Sequence, residues 1–311
     1  MMTRRSALTL AFTAIAASWA LRGAATTGVP PQARPAAAPP AAEVVALPNR
    51  SDSLKFAVLG DFGTGDRAQY QLGEQMAKLL ARFPYELVIT VGDNIYGSER
   101  PQDMKRKFEE PYKPLLDAGV KFYASLGNHD DRVQSRYKLF NMDGRTYYTF
   151  KAPKQDVRFF ALESDYPKPE QIAWLERELE NSGEAWNIPY FHHPLYSSGE
   201  RHGSHSDLRE VLEPMFLKHG VSVVFTGHDH TYERVKPQKG ITHFVTGSGG
   251  KLRRGGLDKK SGLTASGFDT DQVFLAVEID KDQLFFNAIS RTGAIIDSGV
   301  IERRKEPQPQ P

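Results

Sequence analysis

Leu87-Val88-Ile89-Thr90-Val91-Gly92-Asp93-Asn94-Ile95-Tyr96 joins an apolar, β-branched run to a Gly-Asp step and, three residues later, a tyrosine. Short apolar runs stopped by glycine read as buried strands opening into loops. The same layout recurs on both sides. The run Leu54 to Leu59 enters Gly60-Asp61-Phe62-Gly63, and 122–126 enters Gly127-Asn128-His129-Asp130. Further on, 188–190 enters Phe191-His192-His193-Pro194, and 221–226 enters Gly227-His228-Asp229-His230. In sheets of alternating strands and helices such loops gather along one edge, where ligands bind. The donors delivered there are carboxylates, a phenol, an amide and imidazoles, a set suited to two metal ions acting together.

Helical spacing fills the gaps between these motifs. Residues 70–83 place Leu72, Met76, Leu79 and Leu80 on one face, and 171–179 do the same with Ile172, Trp174, Leu175 and Leu179. Residues 104–116 read as a helix interrupted by Pro111 and Pro114, and 207–218 as another helix. After residue 240 the pattern changes to consecutive strands at 242–246, 273–279, 284–290 and 294–301, with a hairpin turn at 280–282. Alternating elements followed by strands predict an α/β fold: a four-layer αββα sandwich of two mixed β-sheets flanked by helices, with the dinuclear site at the sheet edge.

The N-terminus reads differently. Arg4-Arg5 precedes an apolar stretch at 7–21 and small residues at 23–25, the layout of a signal peptide (1–28) with a twin-arginine character. The apolar stretch is shorter than the ~20 residues of a spanning helix, so no stable membrane association is expected after signal removal. An Ala/Pro-rich linker (29–50) follows, then a catalytic domain (51–304) and a Pro/Gln tail (305–311) expected to be disordered. This organisation predicts an exported protein, periplasmic or secreted. The chain has no cysteine, which excludes disulfides and thiolate metal sites. Its net charge is +2 and not gathered on one helix, so a nucleic-acid footprint is not expected. Oligomeric state has no signature here.

Among the donors, Asp93 is the best candidate to bridge two cations, because its strand lies near the middle of the motif series. Tyr96 is near enough in the chain to reach the same pair. A phenol ionises near pH 10 in water, so its use as a ligand points to a strong Lewis acid such as ferric iron.

These motifs resemble the metallophosphoesterases of the calcineurin-like superfamily, and within them the purple acid phosphatases of the small single-domain kind. The resemblance runs from Leu54 to about Ile301, with all five motifs in family order. Most of that superfamily opens on Asp-x-His; here Gly63 stands at the histidine position and Tyr96 is supplied instead, the exchange that marks the purple branch. The resemblance implies an Fe(3+) site of Asp61, Asp93, Tyr96 and His230. It implies a divalent site (Fe, Zn or Mn) of Asp93, Asn128, His192 and His228. It further implies hydrolysis of small phosphate monoesters by hydroxide generated at the metals, as in an acid phosphatase. His129 would orient the phosphate or protonate the leaving group, with Asp130 holding its imidazole. His202 is a second acid candidate, with His205 behind it. The short 162–170 connection lacks the family's inhibitory loop and predicts an open site. Two alternatives remain: a phosphodiesterase with two divalent metals, and a non-catalytic phosphate- or metal-binding protein.

Other residues read as structural. His193 is expected to pack beside the ligands, His219 to complement a helix end, and His243 to be a satisfied core histidine. Gly247-Ser248-Gly249-Gly250 reads as a tight turn near the metals, Lys251, Arg253 and Arg254 as a solvated charge run, and Glu233 and Arg234 as structural.

Overall fold

The computed structural model describes residues 44–304. The expected signal peptide and the tail at 305–311 lie outside the described residues, as does most of the linker. The elements are β1 (Leu54–Leu59), α1 (Arg67–Leu80), β2 (Leu87–Val91), α2 (Pro101–Met104), α3 (Lys113–Asp117) and β3 (Lys121–Ser125). They continue with β4 (Tyr148–Lys151), β5 (Val157–Ala161), α4 (Pro169–Glu180), β6 (Trp186–Tyr190), α5 (Ser206–Lys218) and β7 (Val223–Thr226). The last are β8 (Tyr232–Val235), β9 (Thr242–Thr246), β10 (Thr264–Phe268), β11 (Val273–Asp280), β12 (Gln283–Ser290) and β13 (Ile295–Glu302).

They form two mixed sheets, one ordered β13-β12-β11-β1-β2-β3 and the other β10-β8-β9-β7-β6-β5-β4. β1, β2 and β3 pair in parallel, and β11 closes against β1 antiparallel. Every residue of β1, β2, β6, β7 and β9 is buried, in keeping with their largely apolar sequences, Lys55 of β1 being the charged exception. The sheets meet through aromatic edges: Phe56 of β1 packs against Phe159 and Phe225 at 5.2 and 6.1 Å between ring centres. Phe244 of β9 meets Phe286 of β12 at 5.0 Å. On the first sheet's outer face α1 buries Leu72, Met76 and Leu79. On the second, α4 and α5 bury Leu175, Leu179, Leu208, Leu212 and Phe216. The expected αββα layering is thus present.

Local differences have local causes. The 104–116 helix is broken: a π-helical turn at Lys105–Glu109 follows α2, and α3 restarts with Pro114 in its first turn. Strands β4, β5, β8 and β10 carried no clear signal; β10 is an edge strand of Thr, Ala, Ser, Gly and Phe, half-buried at most. Residues 45–50, assigned to the linker on composition, belong to the folded body. The Val45 amide donates to Ser298 Oγ at 2.9 Å, and those of Asn49 and Arg50 donate to the Glu278 carboxylate at 2.6 and 2.7 Å. Among the described residues no helix is long and apolar enough to cross a membrane.

Candidate metal centre

The five motifs open from the ends of β1, β2, β3, β6 and β7 and meet at one edge of the paired sheets. Asp61, Asp93 and His228 take left-handed backbone conformations, with φ of 53°, 51° and 72°. For side chains other than glycine this region is strained, and such strain clusters where function needs a fixed direction. The loops also bind one another: the Asp61 amide donates to Gly92 O at 3.0 Å, and the Tyr96 amide to Gly63 O at 3.0 Å. Gly63 has a steric reason. A Cβ there would overlap the carbonyl oxygen of Asn94, so the loop bearing Tyr96 closes over position 63 only because no side chain stands in it.

The donors fall into two groups. The Tyr96 hydroxyl lies 3.2 Å from Asp61 Oδ1 and 3.1 Å from His230 Nε2. His230 Nε2 in turn lies 3.5 Å from Asp61 Oδ1. In the second group His192 Nε2 lies 3.1 Å from Asn128 Oδ1 and 3.1 Å from His228 Nδ1. Asp93 Oδ1 is 3.5 Å from the same His192 nitrogen. Behind it, His192 Nδ1 stands 2.9 Å from Val91 O, which holds that nitrogen as the protonated one and frees Nε2 as a lone-pair donor.

The electrostatics fit cations. Asp61 is completely buried, and burial together with the neighbouring Asp93 charge pushes its pKa well above the carboxylate range. Burial and the surrounding imidazoles hold His228 far below its ordinary value, and burial brings His230 to about 4. His228 and His230 therefore keep their lone pairs, while the Asp61 carboxylate lacks a compensating positive charge. Burial, then Asp61 and Asp93, also drive the Tyr96 phenol strongly upward, so its ionisation needs a strong Lewis acid. Asp61, Asp93 and His192 bring one donor atom each within 4.8 Å of one another, as do His192, His193 and His228. Oxygen-rich and nitrogen-rich groups side by side are a fitting donor set for two ions.

Around this edge lies a cleft of about 430 Å³ lined by Asp93, Tyr96, Asn128, His129, Arg201, His202, His228, His230, Lys251 and Arg253. His129 is exposed at the rim, 5.0 Å between ring centres from Tyr96, with its amide donating to Asp93 Oδ1 at 3.0 Å. The His202 ring centre is 4.0 Å from that of His228. The 162–168 connection supplies none of the lining, and the cleft is open.

Several expectations are corrected. Asp130 does not hold the His129 imidazole. Its carboxylate accepts from the amides of Gly127, Asn94 and Ile95 at 2.9, 3.0 and 3.0 Å, and from Gln134 Nε2 at 2.7 Å. It braces the Asp93 loop against the Asn128 loop instead. His205 is not placed as an acid: it caps α5, with Nδ1 accepting the Leu208 amide at 3.4 Å. His193 is buried with Nδ1 3.0 Å from Ser164 Oγ, consistent with packing, and burial pushes its pKa down to about 3. His219 Nε2 lies 3.2 Å from Glu176 Oε1, a specific partner as well as a helix end. His243 is buried but not satisfied, since neither ring nitrogen has a hydrogen-bond partner. Lys251 and Arg253 are not a solvated run; both line the cleft, and Arg254 alone is exposed.

Sequence reasoning named His202 but not the contacts that hold its loop. The Ser197 hydroxyl and the Gly203 amide donate to Asp229 Oδ2 at 2.6 and 3.1 Å. The Ser198 amide donates to Glu233 Oε2 at 2.8 Å. Asp229 stands inside a recognised motif, but nothing local in the sequence shows that its carboxylate holds a second loop.

Comparison with known proteins agrees with this geometry. The calcineurin-like phosphoesterase family model matches residues 54–232. Purple acid phosphatase 17 of Arabidopsis thaliana is 28% identical over 248 residues, covering 68% of this chain and 73% of its own. Human tartrate-resistant acid phosphatase type 5 is 22% identical over 316 residues, covering 85% and 97%. Among solved structures, purple acid phosphatase PPD1 from yellow lupin seeds superposes with a TM-score of 0.66 at 19% identity, over 83% of this chain and 55% of that one. GAP50, the anchor in the inner membrane complex of Plasmodium, superposes at 0.70 and 20% identity, over 82% and 90%. The chain belongs to the calcineurin-like phosphoesterase family. Within that family it is a purple acid phosphatase-like metallophosphoesterase, a hydrolase built around a dinuclear centre.

Proposed function

We propose that this protein hydrolyses phosphate monoesters, with Asp61, Asp93, Tyr96 and His230 holding a ferric ion and Asp93, Asn128, His192 and His228 a divalent iron, zinc or manganese. The observation that carries this reading is the side-by-side grouping of Asp61–Tyr96–His230 and Asn128–His192–His228, with Asp93 between them. Cations held there supply Lewis acidity toward a phosphoryl group and lower the pKa of water. The chain supplies the rest. Val91 O fixes the His192 tautomer, and Asp130 fixes the spacing of the Asp93 and Asn128 loops. At the open rim His129 orients the phosphoryl oxygens, and His202, held beside His228, donates a proton to the departing alkoxide. Water and small esters reach the site without a covering loop. Export by a twin-arginine signal suits such a protein, since that route carries folded chains with their metals inserted.

The test is the visible spectrum of the purified protein with metal analysis of the same sample. A band in the green-to-yellow region that disappears in Tyr96→Phe supports tyrosinate bound to ferric iron. A colourless protein holding two divalent ions removes the ferric assignment and moves the diesterase alternative forward, which turnover of bis(p-nitrophenyl) phosphate then checks. A second reading is a phosphate- or metal-binding protein that uses the same fold without turnover; GAP50, named as an anchor, shares that fold. Metal-replete protein that releases no phosphate from p-nitrophenyl phosphate would establish that reading.

A further inference from the structure

Ser164 lies on the connection between β5 and α4, outside every donor motif, and it is buried. Its hydroxyl nevertheless touches the metal centre. The amides of His192 and His193 donate to Oγ at 3.2 and 3.1 Å, and His193 Nδ1 lies 3.0 Å from the same atom. A serine oxygen offers two lone pairs and one hydrogen. The two amides take the lone pairs, so the hydrogen goes to His193 Nδ1. This count fixes the tautomer: Nδ1 accepts and Nε2 carries the proton. His193 stands in the nitrogen-rich group with His192 and His228, but in this tautomer it has no lone pair free for an ion. It supports ligands without being one.

Both ends of the contact are held. Behind Ser164, the Gln171 side chain of α4 clasps the main chain of Glu163. Its Oε1 accepts the Glu163 amide and its Nε2 donates to the Glu163 carbonyl, each at 2.8 Å. Arg132, on the loop that follows His129, reaches the Glu163 carboxylate at 3.6 Å. In front, the His193 ring packs against the rings of His228 and His192, at 4.4 and 5.0 Å between centres. β5 and β6 are parallel neighbours, which brings the connection of Ser164 beside the motif of His192.

Val91 O orients the His192 ring, but the backbone from which that ring hangs is set by Ser164. Groups that orient metal ligands are worth about 10–100-fold in metal affinity when removed. The other donor group is supported differently. Among the described residues neither Ser164 nor His193 hydrogen-bonds to Asp61, Tyr96 or His230, which contact one another. A defect at Ser164 is therefore felt at one ion and not at both.

We propose that Ser164 is a positioning residue for the divalent ion, directing His192 through two amides and His228 through the ring of His193. This rests on the reading of the centre as a ferric and divalent pair. The short connection, besides leaving the cleft open, is then part of the frame that sets divalent affinity.

The experiment measures the dissociation constant of zinc from the ferric-loaded protein by competition with a chelator, with the Tyr96 absorption band followed in the same samples. Ser164→Ala is expected to bind zinc about tenfold or more weakly while keeping the band. His193→Ala, which removes the ring from His228, is expected to do the same, and His193→Phe, which keeps a ring there, to fall between it and wild type. A zinc constant within about threefold of wild type in Ser164→Ala overturns the proposal. So does loss of zinc and band together in both Ser164→Ala and His193→Ala, which would mark a general loss of structure. If Ser164→Ala alone fails to fold, His193→Ala decides by the same two readouts. A wild type without the Tyr96 band, or without turnover of p-nitrophenyl phosphate, removes the phosphatase reading instead; the zinc constants still decide the role of Ser164.

Discussion

The Ser197 hydroxyl donates to Oδ2 of Asp229 at 2.6 Å, tying the loop of Arg201 and His202 to the segment that carries His228 and His230. Gly199 lies in the same contact: a Cβ there would overlap the Asp229 carboxylate, so the loop closes fully onto it. Asp229 is therefore a positioning residue whose carboxylate is taken up by the Ser197–Gly203 loop.

Removing either partner of that bond should loosen the loop and leave the metals in place. Ser197→Ala is expected to retain both ions by metal analysis and to lower kcat several-fold. Asp229→Ala leaves the Ser197 hydroxyl and the Gly203 amide unpartnered, at a cost of about 1–3 kcal/mol, and should lower kcat about tenfold or more. Full activity in both variants would show that the loop needs no such anchor.

Asp130 makes a prediction of a different kind. Its carboxylate satisfies donors from two motif loops and from Gln134, so Asp130→Ala orphans several buried donors together. Unfolding in urea should show a loss of about 2–4 kcal/mol, accompanied by weaker metal retention on dialysis. If Asp130 served His129 alone, stability would hold and only kcat would fall.

Asn128 and His129 are neighbours in the chain with separate tasks. Asn128 Oδ1 faces His192 Nε2 at 3.1 Å, and Asn128→Ala should weaken the divalent site, read as a lower stoichiometry of that ion. His129→Ala should keep both ions and lose about 10²-fold or more in kcat, the usual contribution of a positioned acid. Equal metal loss in the two variants would make His129 structural.

His243 sets an acid limit on stability. Burial holds its pKa down to about 4 from an ordinary 6.5. The unfolded chain takes up the proton below 6.5, whereas the folded chain resists until about 4, so the unfolded state binds more protons in that window. Stability is fully present above pH 6.5 and is lost as pH falls toward 4, on the order of 3 kcal/mol in all. His243→Leu should flatten the fall in denaturant midpoint between pH 6.5 and 4. An unchanged slope would place the acid sensitivity elsewhere.

Legibility from sequence followed the range of each interaction. The runs before Asp61, Asp93, Asn128, His192 and His228 were readable because a buried strand and its terminal glycine are written in consecutive residues. Strand β10 was not, because an edge strand needs little apolar surface. Residues 45–50 looked like linker because what orders them is Glu278 and Ser298, more than two hundred residues away. Gly63 lies between these cases: its absent side chain is plain in the sequence, but the overlap with Asn94 that explains it appears only in three dimensions.

Local chain chemistry was enough to specify the donor types, their order and the layered αββα class, since each follows from residues within a few positions. Folding alone decided how donors are grouped, because Tyr96 meets His230 across 134 positions and His192 meets Asn128 across 64. It also assigned Asp130 to the loops and not to His129, and turned Lys251 and Arg253 from an apparent surface run into cleft lining. A carboxylate or guanidinium carries the same charge wherever it lies in the chain; what it faces is set by contacts that close only when the two sheets pack.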